Sequence, residues 1–191
     1  MKELDDLERY LLTQFDQLDH ICKSPSPWIF LCLSAFIDYL SNLSEPQQST
    51  DKLRYTNFIR KWYPARYGNF KYRSGMKDLP EQIYTILRSG LVHSFSLTPN
   101  PKSSSTTGRR RSFYLGHRQT EQRKHLSRFF DKSRGIDAAV FIAEDFLEDT
   151  KAAALKIIRR AKRDRYLRQR IISVLHSQPS VAGLDQGYFW S

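Results

Sequence analysis

The feature that most constrains this chain is a series of apolar stripes repeating every three or four residues. Leu4, Leu7, Leu11, Leu12, Phe15 and Leu18 fall on one side of a helix, and such a stripe has to be buried against other elements. Ser24-Pro25-Ser26-Pro27 ends that helix and supplies a cap for the next. Residues 27–43 are apolar nearly all round, so a second helix is expected to be buried on most sides. Asp51 to Trp62 reads as a third helix, with Leu53 and Phe58 flanked by bases. Asp78-Leu79-Pro80-Glu81 is a helix start: an acceptor at the N-cap, a proline in the first turn and a glutamate three residues on. Ile83, Ile86, Leu87 and Leu91 then give a core face, with Gly90 weakening the helix soon after it begins. The longest periodic segment follows Arg134-Gly135: Ile136, Val140, Ala143, Phe146 and Leu147, then Ala154, Ile157, Ile158 and Ala161. It predicts a helix from 136 to about 163, continuing across a break to His176.

Between these stripes, residues 98–108 read TPNPKSSSTTG, a loop with two prolines. Ser94-Phe95-Ser96-Leu97 before it and Ser112-Phe113-Tyr114-Leu115 after it alternate polar and apolar, which predicts a small hairpin around a long, mobile tip. The last residues, SQPSVAGLDQGYFWS, look irregular, with Tyr188-Phe189-Trp190 placed to dock onto the body. The fold expected is therefore all-α, four or five helices with one β-hairpin insertion. A length of 191 residues suits one domain, expected over 1–177 with the insertion at about 99–118 and a tail at 178–191. The beginning, MKELDDLERY, carries acids where a targeting peptide carries bases and an apolar run. The apolar stretch from Trp28 to Leu40 is too short for a bilayer and contains Asp38. A soluble, cytoplasmic protein without a membrane partner is expected, with Cys22 and Cys32 reduced.

Charge narrows the partners. Lysine and arginine number 31 against 20 acids, a formal net charge of +11, which suits a polyanion. The bases concentrate at 54–73, 109–134 and 151–170. In the first of these, RKWYPARYGNFKYR interleaves bases with aromatic rings. Either the rings stack nucleobases, or they cap the helical core while the bases face water. Arg109, Arg110 and Arg111 at the mobile hairpin tip are the stronger RNA contacts, because a flexible basic tip follows a backbone without fixed register. Lys156, Arg159, Arg160 and Arg163 recur on one helix face, which is either solvated or phosphate-tracking.

The chemistry the chain can support is limited. Its histidines stand apart at 20, 93, 117, 125 and 176, without an HExxH or CxxC spacing, and no nucleophile elbow or phosphate-binding glycine loop is present. No metal and no cofactor is expected. What remains is Ile86-Leu87-Arg88-Ser89-Gly90-Leu91-Val92-His93-Ser94-Phe95, an arginine and a histidine near the end of a core helix. On an ideal α-helix five residues turn through about 500°, which leaves Arg88 and His93 about 140° apart. Either the helix breaks at Gly90, or the two groups meet through a second subunit. Together they suffice for metal-free RNA cleavage: histidine moves a proton at the ribose 2′-OH or the leaving 5′-oxygen, and arginine holds the phosphate. The plainer reading makes His93 a core histidine bonded to a backbone carbonyl and Arg88 an ordinary ion pair.

RSGLVH, in the context LRSGLVHSF, resembles the Arg-x4–6-His signature of HEPN domains (higher eukaryotes and prokaryotes nucleotide-binding), especially prokaryotic members reading LRNGLxHxY. Among the other Arg–His spacings, Arg110 and Arg111 to His117 and Arg118 to His125 lack a capped helix with an apolar face. The resemblance covers residues 1–98 and 134–165, with the loop and hairpin at 99–118 as an insertion. It implies a homodimer in which both motifs line one cleft, Arg88 and His93 being the catalytic pair of a metal-independent endoribonuclease, a toxin or antiviral effector. It further implies a 2′,3′-cyclic phosphate and a 5′-OH as products, and an antitoxin or regulatory protein as a further partner. Two positions depart from the family. Ser89 follows the arginine where a longer Asn, Asp or His is common; it can still support the site by hydrogen bonding. Phe95 stands where some toxins carry the tyrosine that an antitoxin modifies with AMP, so that silencing route is closed. The rival reading is a non-catalytic HEPN-like module that binds RNA or a nucleotide, or serves in a regulatory complex. A DNA-binding helical protein is disfavoured, since no recognition-helix motif is evident.

Overall fold

A computed structural model describes residues 2–46, 50–72, 78–91 and 110–177. The helices begin with α1 (Lys2–Cys22), α2 (Trp28–Ser44) and α3 (Asp51–Trp62), and a short α4 (Ala65–Asn69) follows. One more turn, α5 (Leu79–Gln82), runs directly into a π-helical segment, Ile83–Leu91. After the strands β1 (Arg110–Gly116), β2 (Arg128–Asp131) and β3 (Ile136–Ile142) come α6 (Ala143–Arg163) and α7 (Arg165–Ser177).

The N-terminal elements follow the apolar spacing closely. α1 buries Leu4, Leu7, Leu11, Phe15, Leu18 and Cys22, one stripe of a 3.6-residue period. α3 is capped by Thr50, whose hydroxyl accepts from Leu53 N–H at 3.2 Å; its core face is Tyr55, Phe58, Ile59 and Trp62, and Leu53 points outward. Asp78 accepts from Glu81 N–H at 3.1 Å, the N-cap bond that the local sequence requires. α2 lies in the middle, packed against α1, α3, the π segment, α6 and α7. Among the described residues no helix is long and apolar enough to cross a membrane.

The all-α expectation is corrected: the chain is α/β, with a three-stranded mixed sheet in the order β1-β3-β2. Residues 136–142 form the central strand instead of the first two turns of a helix, and the helix begins at Ala143. The reason is visible in IDAAVFI, where five consecutive residues, Ala138 to Ile142, are buried. A run that is apolar at every position fits both periods, and it here forms a strand covered on both faces. Gly135, at φ +61°, supplies the left-handed residue that closes the β2–β3 hairpin. Asp131 Oδ1 there accepts from Ser133 N–H at 3.0 Å and Arg134 N–H at 3.2 Å.

The expected hairpin between 94–97 and 112–115 is also revised on its described half. β1 pairs in parallel with β3, Phe113 opposite Ala139 and Leu115 opposite Phe141, so its partner lies far along the chain. Residues 94–97 lie outside the described residues, as do most of the 99–111 loop and the 178–191 tail. α6 ends at Arg163, and α7 follows after a break at Asp164.

A buried polar chain ties the sheet to the helices. Ile142 N–H donates to His125 Nδ1 at 3.0 Å, so the neutral ring carries its proton on Nε2 and gives it to Tyr67 Oη at 2.9 Å. Tyr67 donates in turn to Asp149 Oδ2 at 2.8 Å, and Arg66 closes the chain by an ion pair with the same oxygen. Burial holds the His125 pKa down to about 4, against the pull of Asp149 and Asp145. Above the ordinary histidine value of about 6.5 the ring is neutral in both states and its contribution to stability is complete. As pH falls from about 6.5 toward 4, the unfolded chain takes up a proton that the native ring refuses, and roughly 3 kcal/mol is lost. We expect the urea midpoint to fall between about pH 7 and pH 4.5, and His125→Gln to flatten that slope by about one proton. An unchanged slope in the variant removes His125 from this role.

Candidate functional site around Arg88

The site begins with the π segment. Its nine residues, Ile83–Leu91, are wound with i→i+5 hydrogen bonds, a geometry usually confined to single turns and frequent at functional sites. The buried side of this stretch carries Ile83, Ile86 and Leu87. Arg88, Ser89 and Gly90 stand at its partly exposed margin.

Asp38 and Tyr84 position the Arg88 guanidinium. Asp38 is the single charged residue of α2, and its Oδ2 accepts from Arg88 Nη2 at 3.1 Å. Arg54 of α3 approaches the other oxygen, Nη2 to Oδ1 at 3.5 Å, and its Nη1 reaches Asp51 at 3.1 Å. Beneath Arg88, one turn back, the Tyr84 ring lies 5.7 Å from its Cζ, a cation–π distance. Tyr84 packs edge-on against Tyr55, whose hydroxyl meets Ser34 Oγ at 3.3 Å inside the core. Burial pulls the Arg88 pKa down, but the hydrogen bond and charge of Asp38 outweigh it and the net shift is upward. The guanidinium therefore stays charged. Arg88 and Asp38 keep 25% and 26% of their side-chain surface, enough to meet a ligand from solvent. With Asp51 on Arg54, two arginines meet two aspartates and the cluster is balanced in charge.

Asp38, Arg54 and Tyr84 escape a reading of the sequence alone, because each comes from a different helix. The one local signal is Asp38 itself, a lone acid in an otherwise apolar helix. His93 and Phe95 lie outside the described residues. Arg88 does make the ion pair that the plainer reading expects of it.

The remaining sequence candidates separate into inside and outside. Arg111 is only 6% exposed, with its guanidinium 5.9 Å from the Tyr72 ring; it is an interior residue and not part of a surface tip. Arg110 opens β1 with only its backbone described, and Arg109 lies outside the described residues. Lys156, Arg159, Arg160 and Arg163 are all exposed on α6. Lys156 lies 5.9 Å from the Trp62 ring, and Arg160 bonds Asp164. In the basic-aromatic stretch, Trp62, Tyr63, Tyr67 and Tyr72 are buried. Three of its bases are paired, Arg60 with Asp78, Lys61 with Glu45 and Arg66 with Asp149. That stretch caps the core.

His125 and His117, which also match an arginine spacing, are both interior. His125 sits in the polar chain described above. His117 Nε2 contacts Ser26 N at 3.1 Å, and its Nδ1 faces Glu144 at 3.4 Å. Cys22 is buried, and burial pushes its thiol up to about 12, far from a reactive thiolate. Among the described residues no group of three histidine, cysteine or acidic side chains is placed to hold a metal ion. Comparison with known proteins adds no relative: no family model matches the chain, and no curated protein or solved structure matches it.

The Asp38–Arg88 pair is partly solvated, so its coupling is modest. A double-mutant cycle with Asp38→Ala and Arg88→Ala is expected to give about 0.5–1 kcal/mol in chemical denaturation. A coupling near zero would mean that Asp38 does not hold the guanidinium.

Proposed function

We propose that the helical part of this chain is HEPN-like and that the protein is a metal-independent endoribonuclease acting as a homodimer, with Arg88 and His93 from both copies lining one cleft. The observation that carries the reading is the setting of Arg88: charged, partly exposed, aimed by Asp38 and Tyr84, and seated in a helix wound i→i+5.

Each group has a defined role in cleavage. The Arg88 guanidinium binds the scissile phosphate and offsets the charge that develops on its oxygens. His93 takes the proton of the 2′-OH and returns one to the leaving 5′-oxygen. The 2′-oxygen forms its bond to phosphorus as the P–O5′ bond breaks, leaving a 2′,3′-cyclic phosphate and a 5′-OH. Ser89 adds a short hydrogen-bonding group beside Arg88. The excess of base supports an RNA partner, and a toxin or stress effector of this type takes an antitoxin or regulatory protein as a second partner.

One observation favours a second reading. Asp38 already occupies part of the Arg88 guanidinium, which suits a module that binds RNA or a nucleotide without cleaving it.

The test is a mixed RNA pool with the purified chain in EDTA, beside Arg88→Ala and His93→Ala. Cleavage is expected to survive the chelator and to fall by at least about a hundredfold in each variant. Cleavage by His93→Ala at the wild-type rate overturns the assignment. RNA binding without cleavage in the wild type selects the second reading.

A further inference from the structure

The corner between α6 and α7 places exposed cations within a few residues of an exposed ring. Asp164 makes the corner: its N–H donates to Arg160 O at 2.8 Å, and its Oδ1 accepts from Tyr166 N–H at 3.1 Å and Leu167 N–H at 3.2 Å. One helix is stopped and the next is capped by the same residue. The turn leaves Tyr166 85% exposed, the most exposed large hydrophobic side chain described. Arg163 and Arg165 flank the turn, and Arg159 stands one turn back along α6. All three are exposed and have no carboxylate partner among the described residues. A lone surface tyrosine is ordinary. An exposed tyrosine with such guanidiniums a few residues away offers what a single-stranded polynucleotide needs, a flat surface for a base and positive charge for its backbone.

The corner is also continuous with Arg88. Tyr166 and Arg170 are one turn apart on α7, and Arg170 Nη2 donates to Asn42 O at 3.2 Å. Asn42 is one turn beyond Asp38 on α2, and Asp38 holds Arg88. The helix that carries the corner and the segment that carries Arg88 therefore both pack on α2.

We propose that this corner is a binding site for single-stranded RNA, in which a base stacks on Tyr166 and the phosphates on either side engage Arg159, Arg163 and Arg165. It deepens the ribonuclease reading, and rests on it for the identity of the strand, by supplying an outlying grip for RNA whose scissile bond lies at Arg88.

The test measures binding, not cleavage. A fluorescent 2′-O-methyl RNA of about 20 nucleotides cannot be cut by 2′-OH attack, and it exceeds the length one binding surface covers. Tyr166→Ala is expected to weaken its binding about tenfold, and Tyr166→Phe to restore it, because stacking needs the ring and not the hydroxyl. Arg163→Ala is expected to weaken binding and to lower the salt slope by about 0.7. Inorganic polyphosphate, which has no bases, should bind wild type and Tyr166→Ala equally. Wild-type affinity of Tyr166→Ala for the RNA overturns the proposal, as does an equal loss of polyphosphate, which would mark a general disturbance. The two readings fail separately. A chain that cuts no RNA but loses oligomer binding in Tyr166→Ala keeps the corner and loses the ribonuclease; one that cuts RNA with Tyr166→Ala binding normally does the reverse.

Discussion

Asp38 is the single charge on a helix that five other elements bury. An acid in that position has to find a cation, since an unpaired carboxylate among packed helices is costly. Arg54 comes from α3 and Arg88 from the π segment, so the need of one aspartate fixes how two further elements meet α2. The same pairing decides where Arg88 points. With Tyr84 beneath it and Asp38 beside it, the guanidinium has little freedom left, and a group held this way binds a phosphate without first having to be ordered.

The sheet side of the molecule meets its polar obligations separately. His125, Tyr67, Asp149 and Arg66 form one chain, His117 joins Ser26 to Glu144, and Tyr63 donates to Thr150, whose hydroxyl in turn donates to Phe146 O. These contacts fasten β3 and the start of α6 to the loops around them. They also engage two histidines that matched an arginine by spacing alone. Those histidines have structural occupations, and burial keeps His125 neutral near pH 7. Arg88 sits instead in a solvent-reaching cluster with Asp38, Arg54 and Asp51.

Much of this was legible in the residues, for identifiable reasons. α1, α3 and the cap at Asp78 are set by local terms: an apolar stripe, a hydroxyl or carboxylate acceptor, a proline in the first turn. β3 was not legible, because Ala138 to Ile142 is apolar at every position and spacing cannot choose its period. Its parallel pairing with β1 joins residues far apart in the chain, which no local signal encodes. Arg88 stood out by its motif. Its partners Asp38, Arg54 and Tyr84 did not, since only packing brings three helices together around it. The basic-aromatic run at 60–73 was ambiguous for a related reason: whether Tyr63 and Tyr67 stack bases or fill a core depends on Phe146, Thr150 and His125, all distant in sequence.

The central claim is that Arg88 and His93 direct attack by the ribose 2′-OH. Its most direct test is the chemistry of the product ends when a defined RNA is incubated with the chain in EDTA. A 2′,3′-cyclic phosphate on one fragment and a free 5′-OH on the other is the expected result. Fragments ending in 3′-OH and 5′-phosphate would contradict the account, because water and not the 2′-oxygen would then have attacked the phosphorus.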